Sequence, residues 1–111
     1  MEKLMKGDVV VMPFPFSDLS SSKRRPALVV ANLEGEDIIL CQITSVSRRD
    51  KYSLVMQNQD FLSGSLNQQS MIRPNRLFTA ERSIINYKVG SIKQEKKKEV
   101  ESKIVEIFKS N

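Results

Sequence analysis

Residues 8–14, DVVVMPF, form an apolar, β-branched run bounded by Gly7 and by Pro13 and Pro15. Proline donates nothing to a central ladder, so the run reads as a first strand leading into a loop. That loop, PFSDLSSSKRR, is rich in serine and charge. Pro26 then opens a second apolar run, ALVVANL, which the short EGED turn at 34–37 separates from DIILCQIT. Two apolar runs about a Gly-containing turn predict a hairpin. In the second arm Ile39, Cys41 and Ile43 share one parity and Gln42 and Thr44 the other. This period of two marks a half-buried strand, with Thr44 at its end facing away from Ile43.

After the basic turn SVSRRDK, YSLVMQ at 52–57 predicts a short strand, and the amide-rich stretch NQDFLSGSLNQQ that follows reads as a long loop. SMIRPNRLFT and KVGSI read as further extended segments, with a single turn near AERSII. From Gln94 to Ser110 there is no Gly or Pro, and Val100, Ile104, Ile107 and Phe108 fall at helical spacing. The predicted architecture is mainly β: one domain spanning 1–111, with an antiparallel β portion at about 6–92 closed by a C-terminal amphipathic helix at about 94–109.

Composition removes several chemistries. The 111 residues include no His, no Trp and one Cys. Imidazole is the commonest general base near neutral pH, so any catalysis must use other groups. One Cys and carboxylates without ligand spacing argue against a zinc site, and no metal or other cofactor is expected. A lone Cys41 cannot form an internal disulfide, which points to a reducing cytoplasm. The N-terminal MEKLMKGD shows no apolar leader core, and the apolar runs fall far short of the roughly 20 residues of a membrane span.

The net charge is +5, from 18 Lys+Arg against 13 Asp+Glu, and it suits an anionic partner. Residues 93–111 hold 6 basic and 4 acidic side chains, so +2 of the total belongs to the helix, where alternating Lys and Glu read as a solvated face. The other clusters are Lys23, Arg24 and Arg25; Arg48, Arg49 and Lys51; and Arg73 with Arg76, all expected in loops or at strand ends. Loop arginines commonly only solubilise a surface or pair with a neighbour such as Asp50. Arg25 differs, because the following Pro26 restricts it to extended backbone where a loop becomes a strand. Its forked, permanently charged guanidinium suits a phosphate and could stabilise an anionic transition state. Thr44, Ser45 and Ser20 to Ser22 are polar candidates, although such residues also serve strands and turns. Phe14 and Phe16 could stack on bases, with burial in a small barrel as their alternative use.

Taken together, GDVVVMPFPFSDLSSSKRRPALVVAN, DIILCQITS and SMIRPNRLFT resemble the MazF/PemK family of toxin–antitoxin ribonucleases over roughly residues 6–109. The resemblance implies a small SH3-like antiparallel β-barrel of the MazF/CcdB type, a terminal helix and a homodimer. It implies metal-independent cleavage of single-stranded RNA, in which the ribose 2′-hydroxyl attacks phosphorus and leaves a cyclic phosphate and a 5′-hydroxyl. Position by position, it implies that Arg25 and Thr44 act at the scissile phosphate with Arg73 in support. Arg24, Ser45, Arg48, Arg49, Asn75 and Arg76 would contact RNA. Asn75 stands where one branch of the family has an aspartate proposed as base, and an amide cannot accept a proton as a carboxylate does. The loop SDLSSSKR is shorter than in many relatives, so no base preference is carried over.

The resemblance further implies an acidic antitoxin that occupies the RNA groove, with operator DNA bound only through that complex. Two other readings stand beside it. A topoisomerase poison of the CcdB kind would share barrel and dimer but needs no arginine before a proline. A non-catalytic nucleic-acid-binding barrel would bind single strands and cut nothing.

Overall fold

The computed structural model describes residues 3–14, 23–46 and 49–110. Its strands are β1 (Asp8–Pro13), β2 (Arg24–Asn32), β3 (Asp37–Thr44), β4 (Leu54–Met56), β5 (Phe61–Gly64), β6 (Ser70–Glu81) and β7 (Tyr87–Ile92), followed by the helix α1 (Gln94–Lys109). They form one curled sheet in the order β4-β6-β3-β2-β1-β7-β5, with every pairing antiparallel. This is the mainly β architecture with a terminal helix that the pattern predicts.

The predicted hairpin is β2–β3, and Gly35 supplies its turn with the positive φ of +81° that glycine adopts at little cost. Arg82, in a 3-10 turn at Arg82–Ile84, fastens that turn: its Nη2 donates to Asn32 Oδ1 at 3.2 Å and to the Leu33 carbonyl at 3.4 Å. The turn expected near AERSII is thus present and tied to the hairpin.

Alternate residues of β3 feed two apolar clusters. Ile38 and Leu40 join Val10, Met12, Phe14, Ala27 and Val29 in one, while Cys41 and Ile43 join Val9, Leu28, Ile72 and Val100 of α1 in the other. The strand is therefore buried on both faces rather than half-buried, because the sheet curls over one face and α1 covers the other. Phe14 is buried and meets Phe78 edge to face, ring centroids 5.3 Å apart at 76°, a geometry worth about 0.5–1.5 kcal/mol beyond its buried area. Its use is core packing.

Three expectations change. The amide-rich stretch contains a 3-10 turn, Asn58–Asp60, and the four-residue strand β5 instead of being loop throughout. The helical stripe is covered unevenly: Val100 is buried, Ile104 and Ile107 are half-buried, and Phe108 is 71% exposed. Within the lysine run Lys96 is not a solvated charge, since its Nζ donates to the Val55 carbonyl at 3.0 Å and to Glu99 Oε1 at 2.7 Å, tying α1 to β4.

Candidate active site

Arg25, Thr44 and Arg73 come from the three central strands β2, β3 and β6. Ala27 pairs with Gln42, and Gln42 pairs with Arg73 on its other side. Continuing the β2–β3 register by two residues sets Arg25 across from Thr44. Directly opposed residues lie about 5 Å apart and diagonal ones about 7–8 Å, so Thr44 neighbours both arginines. All three share the sheet face that carries the Ala27, Leu40 and Met12 cluster, opposite to the face covered by α1.

Each position has a local cause. Arg25 is half-buried as the second residue of β2, paired with the fully buried Met12. Thr44 ends β3, and its Oγ1 accepts the Val46 N–H at 3.1 Å. That bond uses a lone pair and leaves the hydroxyl proton to be donated elsewhere. Thr44 is 6% exposed and Arg73 is 7% exposed. Arg73 and Arg76 lie within the long strand β6, not at a strand end, because β6 continues through Pro74 as a bulge. Cys41 pairs with Leu77 and the next residue, Gln42, with Arg73, so Pro74, Asn75 and Arg76 have no partner on β3. A residue without an N–H fits such a position, and the bulge turns the exposed Asn75 and Arg76 outward beside Arg73.

Arg24, Ser45 and Arg49 are exposed around the same end of the sheet. Arg48 lies outside the described residues, as do Phe16 and Ser20 to Ser22. None of the ion pairs among the described residues engages Arg24, Arg25, Arg49 or Arg76. Among the described residues no carboxylate lies within ion-pair distance of them. Among the described residues no three His, Cys, Asp or Glu side chains gather as a metal site would need.

Two residues outside the predicted site join this constellation, Gln42 and Asp50, the latter named from the sequence only as a partner for nearby arginines. Gln42 stands half-buried between Ala27 and Arg73. Asp50 accepts the N–H groups of Ser53 at 2.7 Å and Tyr52 at 2.9 Å. Those two bonds, then the Ser53 hydroxyl and the charge of Arg73, hold its carboxyl below the usual carboxylate range. Its spacing to Ser53, an Asp capping a turn three residues on, was the available signal.

A model of PemK-like, MazF-like toxins of type II toxin–antitoxin systems matches residues 5–108. The chain belongs to this toxin family. Solved structures agree on the fold. An endoribonuclease from a mycobacterial species, in complex with its cognate antitoxin, superposes with a TM-score of 0.76 at 13% identity, covering 96% of this chain and 95% of that one. The Mycobacterium tuberculosis toxin MazF-mt6 gives 0.73 at 14% identity, covering 94% and 98%. MazF from Deinococcus radiodurans gives 0.69 at 19%, covering 94% of each. No curated protein matches the sequence. Among the described residues no helix of this MazF-like toxin is long and apolar enough to cross a membrane.

Proposed function

We propose that this toxin is an endoribonuclease that cuts single-stranded RNA through the substrate's own 2′-hydroxyl. The observation that carries the reading is the register that sets Arg25 across from Thr44, which itself stands one diagonal step from Arg73. The 2′-oxygen forms a bond to phosphorus and loses its proton, while the bond to the 5′-oxygen breaks and that oxygen is protonated. The products are a 2′,3′-cyclic phosphate and a 5′-hydroxyl. Negative charge grows on the non-bridging oxygens between these states. The Arg25 guanidinium binds two of them at once, the Thr44 hydroxyl donates to one, and the buried charge of Arg73 stabilises the same phosphorane. Arg24, Ser45, Arg48, Arg49, Asn75 and Arg76 hold the flanking strand.

The same arginines, which pair with no carboxylate among the described residues, suit an acidic antitoxin, and a mycobacterial structural neighbour is itself complexed with its cognate antitoxin. Homodimerisation in the cytoplasm, and operator binding only through the antitoxin complex, complete the proposal. The family match does not favour the topoisomerase-poison reading.

Single-turnover cleavage of a long RNA in EDTA tests the assignment. Arg25→Ala should slow cleavage about 100- to 1,000-fold, the scale for removing one preorganised donor. Undiminished cleavage by a folded Arg25→Ala protein would remove Arg25 from the mechanism.

A further inference from the structure

A guanidinium as buried as that of Arg73, 7% exposed and with its Nε shielded from solvent, is costly unless fixed charges or dipoles compensate it. On β3 its neighbour is Gln42, an uncharged amide. On its other side the chain leads into β4. Leu54 pairs with Ile72, and the register continued by one residue sets Ser53 across from Arg73. Leu54 and Met56 pack in the cluster beneath α1, so Ser53, of opposite parity, lies on the face that carries Arg73. β3 and β4 flank β6 and both run antiparallel to it, so the chain that links them crosses β6. Its last part is the turn from Asp50 to Ser53.

That turn is built around one carboxylate. Asp50 Oδ1 accepts the N–H groups of Tyr52 and Ser53, and Oδ2 accepts the Ser53 hydroxyl at 3.2 Å. Three bonds to two consecutive residues fix the orientation of the carboxyl and tie it to the residue opposite Arg73. The charge of Arg73 helps in turn to keep that carboxyl ionised, so the two groups meet on one side of β6. Arg49 and Lys51, which flank Asp50 in the chain, are exposed cations. Asp50 is thus the negative pole of an otherwise basic turn.

We propose that Asp50 is a positioning residue: its carboxylate, anchored on the turn that crosses β6, holds the Arg73 guanidinium in place for the phosphate beside Thr44. This rests on the ribonuclease reading. A guanidinium already oriented does not have to reorganise as charge grows on the phosphorane. Asp50 touches no reacting atom, so its effect on the rate passes through Arg73.

A double-mutant cycle tests that route. Asp50→Asn keeps an oxygen for the Tyr52 and Ser53 N–H groups and removes the charge, while Arg73→Met keeps the buried stem and removes the guanidinium. Asp50→Asn alone should slow single-turnover cleavage about 10-fold with RNA affinity within about twofold, and in the Arg73→Met protein it should change the rate by less than about twofold. An equal loss in both backgrounds, or no loss in a protein that cuts, overturns the proposal. A second measurement needs no cleavage: hydrogen exchange at the Arg73 Nε–H, followed by NMR. Asp50→Asn should speed it about 10-fold while the Tyr52 and Ser53 N–H groups exchange as in the wild type. That result supports the positioning role even if the wild type cuts no RNA, which would defeat the ribonuclease reading alone. Unchanged exchange at Nε, or equal quickening at the two turn amides, overturns the role whether or not RNA is cut.

Discussion

Replacing Thr44 by valine keeps shape and volume while removing one hydroxyl, which separates catalysis from stability at a buried position. In the fold, the change leaves the Val46 N–H without its acceptor, a loss of about 0.5–1.5 kcal/mol. Ser45 and Val46 are exposed, so water can reach that N–H and the low half of the range applies. The melting temperature should fall by about 2–6 °C. Against a total stability of roughly 5–15 kcal/mol, such a loss leaves the protein folded at 25 °C. If the hydroxyl donates to the phosphorane, single-turnover cleavage should nonetheless slow by about 100-fold or more, and Thr44→Ser should restore most of it. A valine variant that melts a few degrees lower yet cuts within about threefold of the wild type would refute the role and leave Thr44 as a strand-end cap.

Other consequences can be read independently. A Cβ at Gly64, where φ is +74°, would lie 1.9 Å from the Val89 carbonyl oxygen, so Gly64→Ala should cost about 2–5 kcal/mol in urea unfolding; a neutral result would contradict the β5–β7 approach. Burial pushes the Cys41 thiol up to about 12, whereas the unfolded thiol ionises near 8.5. Its contribution to stability is therefore complete below about pH 8.5 and declines as pH rises toward 12, and a thiol reagent at pH 8 should label it only as fast as the protein unfolds. The Asp50 carboxyl is held low, so its contribution is present above the unfolded value of about 3.9 and is lost as pH falls through the lower folded value. The Tyr52 and Ser53 amide signals should titrate below pH 3.9, and a midpoint at or above it would break the proposed turn.

The β2–β3 hairpin and the helix were legible because each repeats one period between clear breaks: the EGED turn for the first, and an uninterrupted 3.6-residue stripe for the second. β5 was not. Of FLSG only Phe61 is buried, and a single buried residue carries no period. SMIRPNRLFT was legible as one extended segment, although a proline usually ends a central strand. A bulge absorbs the missing donor, and register alone reveals it. Arg25 and Thr44 could be singled out from Arg-Pro and from a polar residue ending an apolar strand. The burial of Arg73, the place of Gln42 beside it and the pull of its charge on Asp50 depend on strands far apart in sequence, and no local pattern records them.

The chemistry at the centre of the proposal is decided by the ends of the RNA fragments. Wild-type protein acting in EDTA should leave 2′,3′-cyclic phosphates and 5′-hydroxyls, and a 2′-deoxy substitution at the cleaved nucleotide should stop the cut. Fragments bearing 5′-phosphates, or cleavage that persists through the 2′-deoxy position, would show that the substrate's own hydroxyl is not the nucleophile.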